Sequence, residues 1–138
     1  MIKKLLISFI TASAIINFWS FLTCRFLFKW IYFVKPDYYN QDMLYGTINW
    51  YFWATLNNLL LVMAMTFIYS LIYKYIPGKP FKKGFVFGLS AGFFGFIIPL
   101  IRFYLIFDMS SIFFLYAFID GLIFYVLIGT SISLVYGK

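Results

Sequence analysis

The sequence contains no histidine and no glutamate, and its only acidic residues are four aspartates among 138 residues. It holds a single cysteine, Cys24, which excludes an internal disulfide and a thiolate metal cage. A membrane hydrolase or transferase needs a base, a nucleophile or a metal cluster. Asp120 is the only candidate base within the predicted spans, and the sequence has no set of His, Glu or Cys residues to bind a catalytic metal. We therefore expect no catalytic residue, no metal site and no cofactor.

Charged residues of either sign are scarce. They make up 11% of the chain, whereas 64% of it is hydrophobic and the mean hydropathy is +0.94. A soluble domain is normally about a quarter charged, and apolar runs long enough to cross a bilayer recur along the whole chain. The sequence predicts an all-α, polytopic membrane protein with one four-helix transmembrane domain over 1–138. The spans are expected at approximately 4–24, 47–74, 82–107 and 111–136.

The amino-terminal stretch resembles a signal peptide, because two lysines precede the apolar residues 5–22. Its possible cleavage region is a poor lipoprotein signal, since Thr23 precedes Cys24 and the charged Arg25 follows at once. We predict an uncleaved first span. The cations of 25–35 are spaced like those of an interfacial amphipathic helix, although a simple overrun of the first span explains them equally well.

The lysines are distributed unevenly between the two ends of the predicted bundle. Four spans place both termini and the turn over 75–82 on one face, which holds seven lysines and no acid. The positive-inside rule then predicts an up-down bundle in the cell (cytoplasmic) membrane with both termini in the cytoplasm. The net charge of +7 indicates the lipid bilayer as the partner rather than nucleic acid, because the cations lie at helix ends. The lysines expected to contact lipid headgroups are Lys74, Lys79, Lys82 and Lys83.

One face of the third predicted span carries four glycines, Gly84, Gly88, Gly92 and Gly95, together with Arg102. At about 100° per residue these five positions fall within about 80° of arc on an α-helix. Such a face offers lipid only bare backbone and a charge. We therefore expect it to pack against another helix, with Arg102 directed at a polar group.

Asp120 lies about nine residues into the fourth predicted span. A lone carboxylate at that depth costs about 3 kcal/mol to insert, so we expect it to be paired or protonated. Arg102 is the expected partner, because the short loop at 108–110 makes the third and fourth spans antiparallel neighbours. Such a pair either belongs to a functional site or fixes the register of the helices, and the sequence leaves both roles open.

Asparagines lie at similar depth in the other two spans, with Asn17 in the first and Asn57 and Asn58 in the second. We predict that Asn17, Asn57, Arg102 and Asp120 converge into one polar site in the outer half of the bundle. Hydrogen bonding between helices is the simpler role for the asparagines.

Prolines mark two further features. The segment 76–80, Ile-Pro-Gly-Lys-Pro, cannot continue a helix and predicts a tight hairpin between the second and third spans. Pro99 is expected to kink the third helix and to free the carbonyl of Gly95, four residues earlier. The segment 108–111, Asp-Met-Ser-Ser, offers N-cap chemistry to the fourth helix.

The stretch 76–88, Ile-Pro-Gly-Lys-Pro-Phe-Lys-Lys-Gly-Phe-Val-Phe-Gly, and the later segment 120–122, Asp-Gly-Leu, resemble small uncharacterised four-helix membrane proteins of bacteria. Those proteins have a Lys-Gly-x3-Gly helix start and an acid–glycine pair in the last span. The resemblance covers about the last 60 residues. It implies a four-helix fold and no particular activity.

Two functions of different classes fit these patterns. The favoured one is a non-catalytic accessory or structural membrane subunit, because the loops are minimal and the aromatic and glycine surfaces suit another membrane protein. The alternative is a small transporter or channel that uses Asp120 and Arg102. It would need a homo-oligomer, since four helices are few to enclose a pathway. An enzyme is the weakest reading, because a carboxylate held by Arg102 is a poor base.

Overall fold

The structure is a computed structural model that describes residues 2–23, 26, 48–106 and 110–137. Four helical segments are long and apolar enough to cross a membrane, which confirms the prediction of an all-helical, multi-pass chain. The elements are α1 (Ile2–Leu22), α2 (Ile48–Ile72), α3 (Pro80–Gly92), a π-helical turn (Phe93–Ile97), α4 (Ile98–Ile106) and α5 (Ser111–Tyr136).

α5 packs on α1, α2 and α3 and lies at the centre of the bundle, where α1 and α3 run antiparallel to it. Lys4 at the start of α1 contacts Tyr136 at the end of α5, and Trp19 near the end of α1 contacts Asp120 in the first half of α5. Although a hairpin joins α2 to α3, α2 packs mainly on α1 and α3 mainly on α5. This arrangement leaves space between α2 and α3 at the hairpin end of the bundle.

The core lies between α1, α2, α3 and α5. On α1 the small residues Ser8 and Ala12, one helical turn apart, are both fully buried and allow close approach of the neighbouring helices. Most other large apolar side chains are exposed, as expected where the outer surface of the bundle meets hydrocarbon. The fully buried apolar side chains of the core are Ala12, Ile16, Val62, Ile128 and Ile132.

The glycines of the third span pack against α5. A Cβ on Gly88 would lie 2.5 Å from the carbonyl oxygen of Tyr125, and one on Gly92 would lie 3.0 Å from the Cβ of Tyr125. Gly84 is also buried against α5, whereas Gly95 is exposed and would place a Cβ 3.4 Å from the Tyr125 hydroxyl, an ordinary contact. The face that the sequence predicts is therefore tightest at its start and loosens toward Gly95.

The disturbance predicted at Pro99 takes the form of the π-helical turn that precedes it. Within this segment the N–H of Ile98 donates to the carbonyl of Phe93, five residues earlier. Proline lacks an N–H, and its ring crowds the carbonyl four residues back, which here is that of Gly95. A π turn widens the helix at this point, and regular α-helix resumes as α4.

The hairpin between α2 and α3 turns at Gly78, whose φ of +111° is a left-handed conformation that favours glycine. Pro80 is the first residue of α3 rather than part of the loop, because the first N–H of a helix needs no intrahelical partner. Ser110 precedes α5 but its side chain makes no capping hydrogen bond. Asp108, Cys24 and the predicted interfacial helix over 25–35, apart from Phe26, lie outside the described residues.

Candidate functional site

Asp120 lies within the bundle and accepts a hydrogen bond from α1. The indole Nε1 of Trp19 donates to Oδ1 of Asp120 at 3.1 Å. Asp120 is half-buried, about 13 Å along α5 from its first residue. The sequence did not identify Trp19, because a tryptophan near the end of a span is typical of the aromatic belt at the membrane interface.

Arg102, the predicted partner of Asp120, lies elsewhere. Its side chain is exposed, and within the part of the chain that the structure describes no ion pair joins it to Asp120. The prediction assumed a constant 100° per residue from Gly84 onward, but the π turn changes the angular register before Arg102 is reached. Arg102 is only about 6 Å of helix from Ile106, the end of α4, so its long side chain can reach the headgroup region.

The predicted contact between asparagines forms with Asn58 and not with Asn57. Asn58 Nδ2 donates to Asn17 Oδ1 at 3.2 Å and to Ser20 Oγ at 3.0 Å, which ties α2 to α1. Asn17 Nδ2 in turn donates to the backbone carbonyl of Ser13 at 2.9 Å. Asn58 is buried, whereas Asn57 is exposed. Adjacent residues differ by about 100° around a helix, so only one of the two asparagines can face α1.

These polar contacts cross-link three helices through one end of α1. Asn17 and Trp19 are two residues apart and therefore point to different sides of α1, one toward α2 and the other toward α5. Asp120 is the single acidic residue in the described ranges, which contain no group of three or more His, Cys, Asp or Glu side chains that could hold a metal. The arrangement can fix the positions of helices and can hold one carboxylate within the membrane.

A second polar region is a cavity of about 840 Å³ at the hairpin end of the bundle. Its volume is within the range of about 300–1,000 Å³ that is typical of small-molecule sites. The charged residues among its described lining are Lys4, Lys74 and Lys83. Of the four lysines predicted to contact headgroups, Lys74 and Lys83 line this cavity, while Lys79 and Lys82 are exposed outside it.

Two of the cavity lysines are held by the carboxyl ends of helices. Lys83 Nζ donates to the backbone carbonyl of Tyr73 at 2.9 Å, just after α2 ends, and Lys4 Nζ donates to that of Tyr136 at 3.4 Å, at the end of α5. A cation is stabilised there by the helix dipole. Each ammonium has three N–H donors, so one bond to a carbonyl leaves donors free for a ligand.

Tyrosines form the inner wall of the cavity. The rings of Tyr69 and Tyr136 are 5.9 Å apart and nearly perpendicular, and the rings of Tyr73 and Tyr136 are 4.8 Å apart. Ser133 Oγ donates to the carbonyl of Pro80 at 2.5 Å, so the Tyr69 hydroxyl, 2.6 Å from that Oγ, is the donor to Ser133. This chain of hydrogen bonds connects α2, α5 and α3 and fixes the wall.

Comparison of the chain with protein-family models, with curated proteins and with solved structures finds no match. Its function is therefore inferred from its own residues.

Proposed function

We propose that the chain is a non-catalytic accessory or structural subunit of a larger complex in the cell membrane. The observation that carries this proposal is the exposure of Asn57, about 13 Å along α2 from its first residue. Its exposed neighbours Leu56 and Leu60 are apolar. A carboxamide that faces hydrocarbon has no water to bond and is costly, and a polar group on a helix of another membrane protein would satisfy it.

The interior polar groups support a structural role for the bundle. Asn58 bonds to both Asn17 and Ser20, and Asp120 bonds to Trp19. Side chains that bond to each other in this way hold helices together. They do not form a continuous path of unpaired polar groups that could bind a solute. The absence of histidine and glutamate from the sequence supports a non-catalytic role in the same way, because general acid–base chemistry most often uses those side chains.

The lysines support an orientation with both termini in the cytoplasm. The cavity places Lys4, near the start of α1, beside the hairpin lysines Lys74 and Lys83 and next to the end of α5. One end of the bundle is thus strongly basic, and the positive-inside rule assigns that end to the cytoplasm. A Lys82→Cys variant in a Cys24→Ser background tests this orientation. A membrane-impermeant thiol reagent should label it in inside-out vesicles, and labelling in intact cells would contradict the orientation.

Native mass spectrometry of the protein, extracted gently from its own membrane, tests the accessory role. We expect a different membrane protein to co-purify in a fixed ratio with the native chain and to be lost from Asn57→Leu. Thr55→Leu is the matched control, because Thr55 is also exposed on α2 but lies about 160° around the helix from Asn57. A chain that carries only lipid, or a partner that Asn57→Leu retains, would contradict the proposal.

A small oligomeric transporter is the second candidate, and the half-buried carboxylate of Asp120 within a membrane span favours it. Ionisable groups at such positions often belong to ion or proton pathways. A homo-oligomer in the same mass spectra would support this candidate. The deciding measurement is then flux into liposomes, where Asp120→Asn should abolish transport if the carboxylate carries it.

A further inference from the structure

The cavity at the hairpin end is positively charged, and its described lining contains no acidic residue. Lys4, Lys74 and Lys83 all line it, and its remaining described residues are neutral. Three ammonium groups around one cavity repel each other, and no carboxylate among the described lining residues offsets that repulsion. An anion bound among them would offset it, and phosphate oxygens accept hydrogen bonds from several lysines at once.

Two of these ammonium groups are already in place. The bonds of Lys83 to Tyr73 and of Lys4 to Tyr136 join each lysine to the end of a different helix. Their side chains therefore lose little further freedom when an anion binds, which favours affinity. Lys74 makes no hydrogen bond with a described residue and is exposed, so it is free to close over a bound group.

The position of the cavity indicates where the anion comes from. Lys74 lies two residues beyond Ile72, where the apolar run of α2 ends, so in a bilayer it would lie near the change from hydrocarbon to headgroups. The lining includes Leu71, which is 60% exposed and continues the apolar outer surface of α2 formed by Phe67 and Ile68. A molecule with its phosphate among the lysines could lay acyl chains along that surface.

We propose that this cavity binds the phosphate group of an anionic membrane phospholipid, with Lys4, Lys74 and Lys83 as its cationic ligands and the tyrosine wall beside the headgroup. Lys79 and Lys82 belong to the same hairpin region but lie outside the site. The proposal assigns one defined lipid site rather than a diffuse attraction of all hairpin lysines to the membrane surface. It does not depend on the accessory role or on the orientation of the chain.

Lipid binding to the full chain in neutral detergent, followed by native mass spectrometry, tests the site. The probes are phosphatidylglycerol and phosphatidylcholine with identical acyl chains. We expect phosphatidylglycerol to bind more tightly, and removal of each cavity lysine to weaken it about fivefold. The double variant Lys74→Gln, Lys83→Gln should therefore lose about 25-fold in affinity. The matched control Lys79→Gln, Lys82→Gln removes the same charge from the same region and should lose less than about twofold.

Each arm of the experiment can overturn the proposal. Equal affinity for the two lipids, or an equal loss in the control variant, would show that no defined anionic site exists. Displacement of the lipid by glycerol 3-phosphate or inorganic phosphate at comparable concentration would assign the site to a soluble phosphate instead. Lys83→Gln keeps an N–H donor on that side chain, which limits the loss of the bond to the Tyr73 carbonyl. Should the double variant nevertheless unfold, Lys74→Gln alone decides, because Lys74 makes no hydrogen bond with a described residue.

Discussion

Gly84 and Gly129 meet backbone to backbone, since a Cβ on either residue would lie 2.5 Å from the carbonyl oxygen of the other. Side-chain carbons do not approach oxygen that closely in folded proteins, so each glycine is required by the presence of the other. The contact joins α3 to α5 near the hairpin end and sets the distance between the two helices. Small residues that let backbones touch are the usual basis of such packing in membranes.

Replacement of either glycine by alanine should separate the two helices. We expect Gly84→Ala and Gly129→Ala each to lower the free energy of unfolding by about 2 kcal/mol, because the neighbouring atoms belong to backbone that cannot rotate away. Reversible unfolding in mixed detergent micelles measures the change. Gly95→Ala is the control and should change the free energy by less than about 0.5 kcal/mol. Equal losses at Gly84 and Gly95 would contradict the packing described here.

The hydrogen bond between Trp19 and Asp120 should appear as a coupling energy between α1 and α5. In a double-mutant cycle of Trp19→Phe and Asp120→Ala we expect a coupling of about 1 kcal/mol, the size found for hydrogen bonds between membrane helices. The parallel cycle of Arg102→Gln and Asp120→Ala should give less than about 0.3 kcal/mol. A strong coupling energy between Arg102 and Asp120 would instead show that the ion pair predicted from the sequence does form.

The two adjacent asparagines of α2 should differ sharply in their effect on the isolated chain. Asn58→Leu removes the donor to Asn17 and Ser20 and is expected to lower the free energy of unfolding by about 1–2 kcal/mol. Asn57→Leu should leave that stability unchanged within about 0.5 kcal/mol, because its side chain is exposed. The same unfolding assay compares them, and a larger loss at Asn57 would show that the assignment of inner and outer faces is reversed.

Gly121 faces the ring of Phe96, so an added Cβ there would collide with a side chain rather than with backbone. We expect Gly121→Ala to lower the free energy of unfolding by about 1–3 kcal/mol as the ring is pushed from its place. In a Phe96→Leu background, where the obstructing ring is gone, the added penalty should fall below about 0.5 kcal/mol. A penalty that survives in this background would place the obstruction elsewhere.

The spans and the glycine face could be predicted because both follow from simple periodic properties of the chain. Length and hydropathy define a membrane helix, and Gly84, Gly88 and Gly92 precede the π turn, so a constant angle per residue describes them correctly. Beyond Phe93 that angle no longer holds. Arg102 was therefore assigned to a face that it does not share, and Gly95 lies at the exposed margin of the glycine face.

The contacts of the polar groups were harder to predict, since they depend on how each helix is rotated about its axis. A helix that is apolar on all sides gives little indication of that rotation. Adjacent residues differ by about 100° around the axis, so the sequence alone does not decide whether Asn57 or Asn58 faces α1. Trp19 and Lys4 lie on α1, where no role was predicted for Trp19 and Lys4 was counted only among the lysines that indicate the orientation. Only the packing of α1 against α5 shows that one side chain reaches Asp120 and the other lines the cavity.

The central place of α5 also affects how the protein is made. Ribosomes synthesise α1, α2 and α3 before α5, so these helices enter the bilayer without the element on which α1 and α3 pack. Until α5 is made, the backbone of Gly84 lacks its contact with Gly129 and the indole of Trp19 lacks its hydrogen bond to Asp120. α1 and α2 can pack on each other early, because their contacts do not need α5. The contacts of α1 and α3 with α5 form only after residues 111–136 have been made, so a ribosome that stalls before residue 111 leaves α3 without its main packing partner.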